Sequence, residues 1–518
     1  MKFLKILFLV CLFQMSAFAK LQLPKVFSDN MILQQCSDAK IWGWADAGSL
    51  VKIQVPQISY SATVKADKDG NWLAYIKTGK ATGDPFGIIV TGPKDVLKIN
   101  DVLLGEVWFA SGQSNMNFPL FASDNAHDVV HSAKYPAIRF FSVPTKTTDE
   151  LQVDVESKWQ KCGPKEASGF SAIAYYFAKN LHEELGVPVG IIKSALGGTP
   201  IESWTDRQTL KEQLPQLVAS YDKFAEKWAN GEKEKYYKKL AVYNNELKSA
   251  KEGDAKKIVK PKMPFGPEHM QHPCGLYNGM VHPLVGYTIK GFIWHQGEAN
   301  SWRAKGYLDL FPAMVQSWRA KWDSDLPFYY VQIAPCTYYD KNSLDMKNIC
   351  AELREAQRLS LDKIANSGMV VSMDTVVDYD DIHPKNKKDV GGRLANLALN
   401  KTYGKQVLFS GPKYEKMKLQ GDKLRLYFGN TQGGLVIRQE ADNGFEIAGA
   451  DGQYYGADVK IVGDSLVLSS IKVPVPHAGR YGWSNTARAT LFNGQGLPAS
   501  SFRTDNSKWQ TEGKFTYF

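Results

Sequence analysis

Val107-Trp108-Phe109-Ala110-Ser111-Gly112-Gln113-Ser114-Asn115-Met116 is the stretch on which the fold turns. Four apolar residues of strand length run into a glycine and then into small polar residues. That order reads as a buried strand ending in a tight turn. A serine there is held out at the carboxyl end of a sheet, within reach of a substrate carbonyl. The nucleophile elbow uses the same strategy, although its G-x-S-x-G sequence is absent. Serine and asparagine are also ordinary turn residues. A catalytic reading of Ser114 therefore needs a base, an orienting acid and oxyanion donors elsewhere in the chain.

The surrounding sequence alternates similar apolar runs with helical patterns. Val189–Lys193, Lys290–Trp294, Phe328–Ile333 and Gly368–Met373 are strand candidates. Ile173–Leu185 and Leu353–Ile364 are helix candidates between them. This predicts an α/β unit with a mainly parallel sheet over residues 101–405. A lysine-rich segment at about 206–260 interrupts it, with Tyr236, Leu240, Tyr243 and Leu247 on one helical face. It is expected to be a helical insertion, suited either to walling the site or to peripheral decoration. Residues 20–100 read as a small β-sandwich-like unit. Ala39–Trp44, Val51–Val55 and Trp72–Ile76 are its strands, with turns at Asp46-Ala47-Gly48 and Asp69-Gly70. Residues 406–518 are β-rich again, with Leu424, Leu426 and Phe428 alternating with polar neighbours.

The N-terminus reads as a signal peptide at residues 1–19. Lys2 and Lys5 precede an apolar run, Ile6–Phe13, and Ala17-Phe18-Ala19 supplies a small-x-small cleavage site. The run is too short to span a bilayer. Cys11 lies inside it after a bulky Val10, which argues against lipidation. An exported mature chain, periplasmic or secreted and with no integral membrane segment, is expected. Its formal charge falls from +10 to +8, because Lys2 and Lys5 leave with the leader. Nothing in the sequence calls for a nucleic-acid partner. Cys36, Cys162, Cys274, Cys336 and Cys350 remain, in no metal-binding spacing. No metal and no cofactor are expected, and one or two disulfides are compatible with an oxidising compartment.

Three later segments supply the missing chemistry. In Asp380-Asp381-Ile382-His383-Pro384, a carboxylate can fix the tautomer that leaves His383 basic. Gly197-Gly198-Thr199 follows a strand and lets backbone N–H groups approach an oxyanion. In His295-Gln296-Gly297-Glu298-Ala299-Asn300, Gln296 is a candidate oxyanion donor. Glu298 and Asn300 are candidates to orient loops or hold sugar hydroxyls, and Asn115 joins them as a candidate substrate contact. His295 is a candidate second base or a packed histidine.

The order serine, glycines, Gln-Gly-Glu and acid-x-x-His resembles the SGNH hydrolase superfamily. Within it the chain is most similar to the sialate O-acetylesterases and related carbohydrate O-acetylesterases. That family carries glutamine in the third block, as at Gln296. Leu23–Gln34, Gly105–Trp108, Gly197–Trp204, Leu276–Met280, Arg354–Gln357, Gly496–Ala499 and Phe502–Asp505 also resemble family segments. His295 and Ala299 depart from its usual Tyr-Gln-Gly-Glu-Ser-Asn string. The resemblance implies an SGNH-like three-layer domain flanked by β-rich regions. It also implies a serine esterase with Ser114 as nucleophile and His383 as base. The oxyanion donors would come from Ser114, Gly197, Gly198 and Gln296. Superfamily spacing points to Asp380 as the orienting acid, and the family's D-I-H-P string to Asp381. The implied substrates are O-acetylated sialic acids, with acetylxylan or another acetylated glycan as the alternative. A non-catalytic glycan-binding protein is the reading outside the enzyme class.

Overall fold

The computed structural model describes residues 20–250, 258–337, 347–438 and 442–514. The expected signal peptide lies outside the described residues. The central sheet has seven strands, numbered in chain order. They are β1 (Val96–Gly112), β2 (Tyr135–Ser142), β3 (Trp159–Cys162) and β4 (Val189–Ala195), then β5 (Gly291–His295), β6 (Phe328–Val331) and β7 (Ser367–Val370). Their order across the sheet is β7-β6-β5-β1-β4-β2-β3. All neighbours pair in parallel except β3, which runs antiparallel to β2. The expected mainly parallel α/β architecture is present.

Five helices position the site: α1 (Ser114–Asn117), α2 (Ala172–Leu185), α3 (Ala304–Trp322), α4 (Ile349–Lys363) and α5 (Lys387–Lys401). The side-chain alternation of β1 assigns them to opposite faces. Trp108 meets Phe177 of α2 edge-on at 5.1 Å and shares a buried cluster with Leu394 and Leu397 of α5. Phe109 points the other way, to Trp318 at 5.9 Å and Trp322 at 5.8 Å on α3. Both faces being covered explains why the strand reads as a continuous apolar run.

The two β-rich flanks join this sheet differently. At the N-terminal side, β1 is 17 residues long and belongs to both units. Its first part pairs antiparallel with Phe86–Thr91, and Leu103–Gly105 pair in parallel with Ile32–Gln34. The expected division at residue 100 falls inside this strand. The C-terminal strands instead close around their own cluster, including Leu424, Leu426, Leu466, Leu468 and Tyr481. Buried polar links from α4 attach them. Arg354 donates to the Gly482 carbonyl and to Ser501 Oγ, both at 3.1 Å, and Glu352 accepts from Thr511 Oγ1 at 2.7 Å.

The segment expected as a helical insertion contains Arg207–Gln213, Pro215–Lys227 and Lys233–Ser249. Its expected apolar face is only partly used: Tyr236 is buried and Leu247 is exposed. Tyr221 anchors the segment to the body by donating to Asp149 Oδ1 at 2.9 Å, and His272 Nε2 lies 2.6 Å from the same oxygen. Cys36, Cys162, Cys274 and Cys350 form no disulfide. No described helix is long and apolar enough to cross a membrane.

Candidate active site

The sheet order places the serine turn where ligands gather in open α/β folds. After β1 the chain builds β2 to β4 on one side, then crosses to build β5 to β7 on the other. The carboxyl end of β1 therefore lies at the reversal of strand order. Gly112 makes the turn possible. It has φ +138°, and a β-carbon on it would overlap the His295 carbonyl of β5. Gln113 is buried, donates its N–H to that carbonyl at 2.9 Å, and accepts from the Gly297 and Ala299 N–H groups at 3.3 Å. Ser114 follows, half-buried, as the first residue of α1.

Gly197 passes directly against it. A β-carbon on Gly197 would stand 3.2 Å from that of Ser114. Gly198 has φ +70°, a conformation suited to glycine. Among the described residues, no protein acceptor takes the N–H of Ser114, Gly197 or Gly198. Three backbone donors at or next to the Ser114–Gly197 contact thus remain without a protein acceptor. Met270 and Gln271, on the segment anchored through His272, close over Gly198, with Gln271 Nε2 donating to its carbonyl at 3.0 Å.

His383 lies on the loop between β7 and α5. Its ring stacks at 6.2 Å on Phe118, which follows α1. Asp381 Oδ1 accepts from the His383 backbone N–H at 2.8 Å and stands 3.6 Å from Nδ1. Asp380 is exposed, and its carboxylate accepts from Thr337 Oγ1. The structure therefore brings Asp381 to the imidazole and turns Asp380 to Thr337, against the D-x-x-H spacing. Burial and then the charge of Lys387 hold the His383 pKa below its ordinary value of 6.5, with Asp381 opposing. Ser114 and His383 form no hydrogen bond in this structure; such bonds often tighten only with substrate.

The polar residues after β5 bond mainly to one another and to neighbouring loops. Gln296 Nε2 donates to Asn300 Oδ1 at 2.7 Å and to the Thr199 carbonyl at 3.2 Å. Both amide hydrogens are committed, so Gln296 is no free oxyanion donor here. Asn115, Glu298 and Asn300 are each at most 3 % exposed. They hold loops together. Asn115 Nδ2 donates to Glu298 Oε1 at 2.6 Å and to the Ile382 carbonyl at 3.1 Å, and Asn115 Oδ1 accepts from Lys387 Nζ at 2.6 Å. Asn300 Nδ2 donates to Glu202, which also takes Arg303 Nε at 3.2 Å. His295 is buried with both ring nitrogens unbonded, and burial holds its pKa far down. It is a packed histidine.

Gln113, Glu202, Arg303 and Lys387 carry this framework without having been singled out as site residues in the sequence. Their buried setting has no local signal, because charged and amide side chains are normally solvated. Only their closeness to the four blocks hinted at it.

Comparison with known proteins fits this arrangement. The profile of the family described as carbohydrate esterase, sialic acid-specific acetylesterase, matches residues 104–267 and 268–400. The chain belongs to this family. The acetylesterase is 30% identical to the sialate O-acetylesterase of Rattus norvegicus, over 82% of its own length and 81% of the relative's. It is 29% identical to that of Homo sapiens, over 76% of its own length and 74% of the relative's. A carbohydrate acetylesterase from Xanthomonas citri superposes with a TM-score of 0.78 at 32% identity, covering 94% of this chain and all of the other.

Proposed function

We propose that this acetylesterase hydrolyses O-acetyl esters on sialic acids through Ser114 and His383, in an SGNH-hydrolase arrangement. One observation carries the reading. The Ser114 turn meets the unbonded N–H groups of Gly197 and Gly198 on one side, and Asn115 ties it to the residue before His383 on the other. His383 takes the Ser114 hydroxyl proton as Oγ attacks the acetyl carbonyl. The N–H groups of Ser114 and Gly197 or Gly198 receive the oxyanion, each worth roughly 100- to 1000-fold in rate. His383 then gives its proton to the departing sugar oxygen. Water, deprotonated by the same imidazole, releases acetate from the acyl-enzyme. Asp381 orients the base.

The accompanying domain reading treats residues 20–100 as a β unit fused to the 101–405 esterase unit through β1, with 406–518 as a separate β unit. Removal of residues 1–19 and work outside the cytoplasm belong to the same proposal. It is supported by Lys2, Lys5 and the Ala17-Phe18-Ala19 site.

The test is acetate release from O-acetylated sialic acids and acetylated xylo-oligosaccharides, by the parent and by Ser114→Ala. The parent is expected to act on the sialic acids and Ser114→Ala to lose at least about 1000-fold. Activity confined to the xylan set overturns the sialate reading. Equal, slow release by both proteins overturns the esterase site.

A further inference from the structure

Lys387 opens α5 in a run, Lys385–Lys388, that reads as solvated, yet it is 2 % exposed. Its Nζ donates to Asn115 Oδ1 at 2.6 Å and stands 4.7 Å from the Phe118 ring centre. An ammonium only donates, so the Asn115 carbonyl oxygen must face it. The amide nitrogen then faces two acceptors, Glu298 Oε1 at 2.6 Å and the Ile382 carbonyl at 3.1 Å. Asn115 adjoins Ser114, and Ile382 adjoins His383. A single buried ammonium thus keys the amide that spans from the nucleophile's neighbour to the base's neighbour. The same ring that covers the ammonium, Phe118, stacks on His383.

We propose that Lys387 is a positioning residue for the esterase reaction, setting the reach between Ser114 and His383 through Asn115 and opposing protonation of the imidazole by its charge. The inference rests on the Ser114–His383 reading. The charged groups around the pair support it. His383 is faced by Lys387, Asp381 and His295. Lys387 is faced by Glu298, Asp381 and Asp124, whose carboxylates resist the burial that brings its pKa down to about 7. The ammonium is therefore charged at the acidic pH where His383 titrates. Removing it relieves repulsion, raises the imidazole's pKa and makes the base fail at higher pH.

The test compares Lys387→Met, Lys387→Gln and Lys387→Arg with the parent and Ser114→Ala in the full chain. The readouts are kcat and KM for acetate release, the pH profile of kcat/KM, and the melting temperature. Lys387→Met is expected to lower kcat about 10- to 100-fold with little change in KM, as misplacement of a reacting group does. Its acid limb is expected to move to higher pH. Lys387→Gln, which can still donate to Asn115, is expected to show the same limb shift with a smaller loss in kcat. It also carries the test should Lys387→Met not fold. Lys387→Arg keeps the charge and is expected to restore the acid limb. A purely structural lysine would lower the melting temperature and leave the limb in place. The inference is overturned if folded Lys387→Gln or Lys387→Met shows the parent's acid limb and kcat while Ser114→Ala is inactive. Retained activity in Ser114→Ala would instead defeat the underlying esterase reading.

Discussion

The nucleophile turn and the base loop are held by opposite means. Gly112, Gln113, Asn115 and Met116 are buried, and the turn is set by backbone contact between β1 and β5. On the base loop, Val377 is 94 % exposed and Asp378 and Asp380 are exposed. Few apolar contacts fix that loop. A handful of hydrogen bonds tether it: Asn115 to Ile382, the Asp124 N–H to the Lys385 carbonyl at 3.1 Å, and the Thr337 N–H to the Tyr379 carbonyl at 2.8 Å. The serine inherits the rigidity of the sheet, and the histidine depends on a few separate hydrogen bonds, from both backbone and side chains. Segments with few buried contacts are where local opening concentrates.

Gly112→Ala attacks the sheet-held side and has the largest expected effect. The added carbon overlaps the His295 carbonyl, so stability should fall by about 3 kcal/mol or more, read from urea unfolding, and activity should go with it. A stable, active Gly112→Ala would show that the turn is as adaptable as the loop. On the tethered side, Asp381→Asn should lower kcat by about 10- to 1000-fold while melting close to the parent. Asp380→Asn should stay within about 3-fold, as exposed changes usually do. The reverse ranking would restore the D-x-x-H assignment.

The pH profile sharpens the comparison further. Loss of kcat/KM on acidification should centre below 6.5, because the His383 pKa is lowered in the fold. His295 adds a stability effect of the same sign. Its pKa is lowered by burial, so the unfolded chain binds the extra proton, and melting temperature should decline as pH falls below about 6.5. Thr337→Val should have the smallest effect. It removes the Thr337 hydroxyl bonds to Asp380 and the Tyr379 carbonyl but keeps the N–H tether, at an expected cost of about 1 kcal/mol and less than about 3-fold in kcat.

The same division explains what was legible in the sequence. Composition and apolar-run signals locate Asp38–Trp44, β4, β5 and β6 to within two residues, because burial on one face or on both writes itself into composition. Strand β2 was not anticipated; Pro136 and Arg139 break its pattern, and Arg139 is buried by donating to Asp101 at 3.0 Å. Order along the chain singles out Ser114, Gly197, Gly198 and His383, on which the proposed reaction rests. The contacts of Gln296, Asn115 and Lys387 have no such signal, because they depend on which hydrogen bonds are already taken. Asp380 and Asp381 differ in their contacts partly through Thr337, 43 residues from Asp380, which no local pattern shows.

Strand β1 has a further consequence, for the order in which the protein is made. It is the first strand of its sheet to be synthesised and the one that ends up between two neighbours. The residues that flank Trp108 and Phe109, in β4 and β5, come roughly 80 and 180 positions later. Until both exist, the most apolar stretch of the sheet has no partner on either side, although its N-terminal half can already pair with Phe86–Thr91 and Ile32–Gln34. Exposed, unpaired strands are the species that aggregate during folding. The N-terminal β unit therefore also serves as a holder, fixing one end of the central strand while the other waits for its sheet.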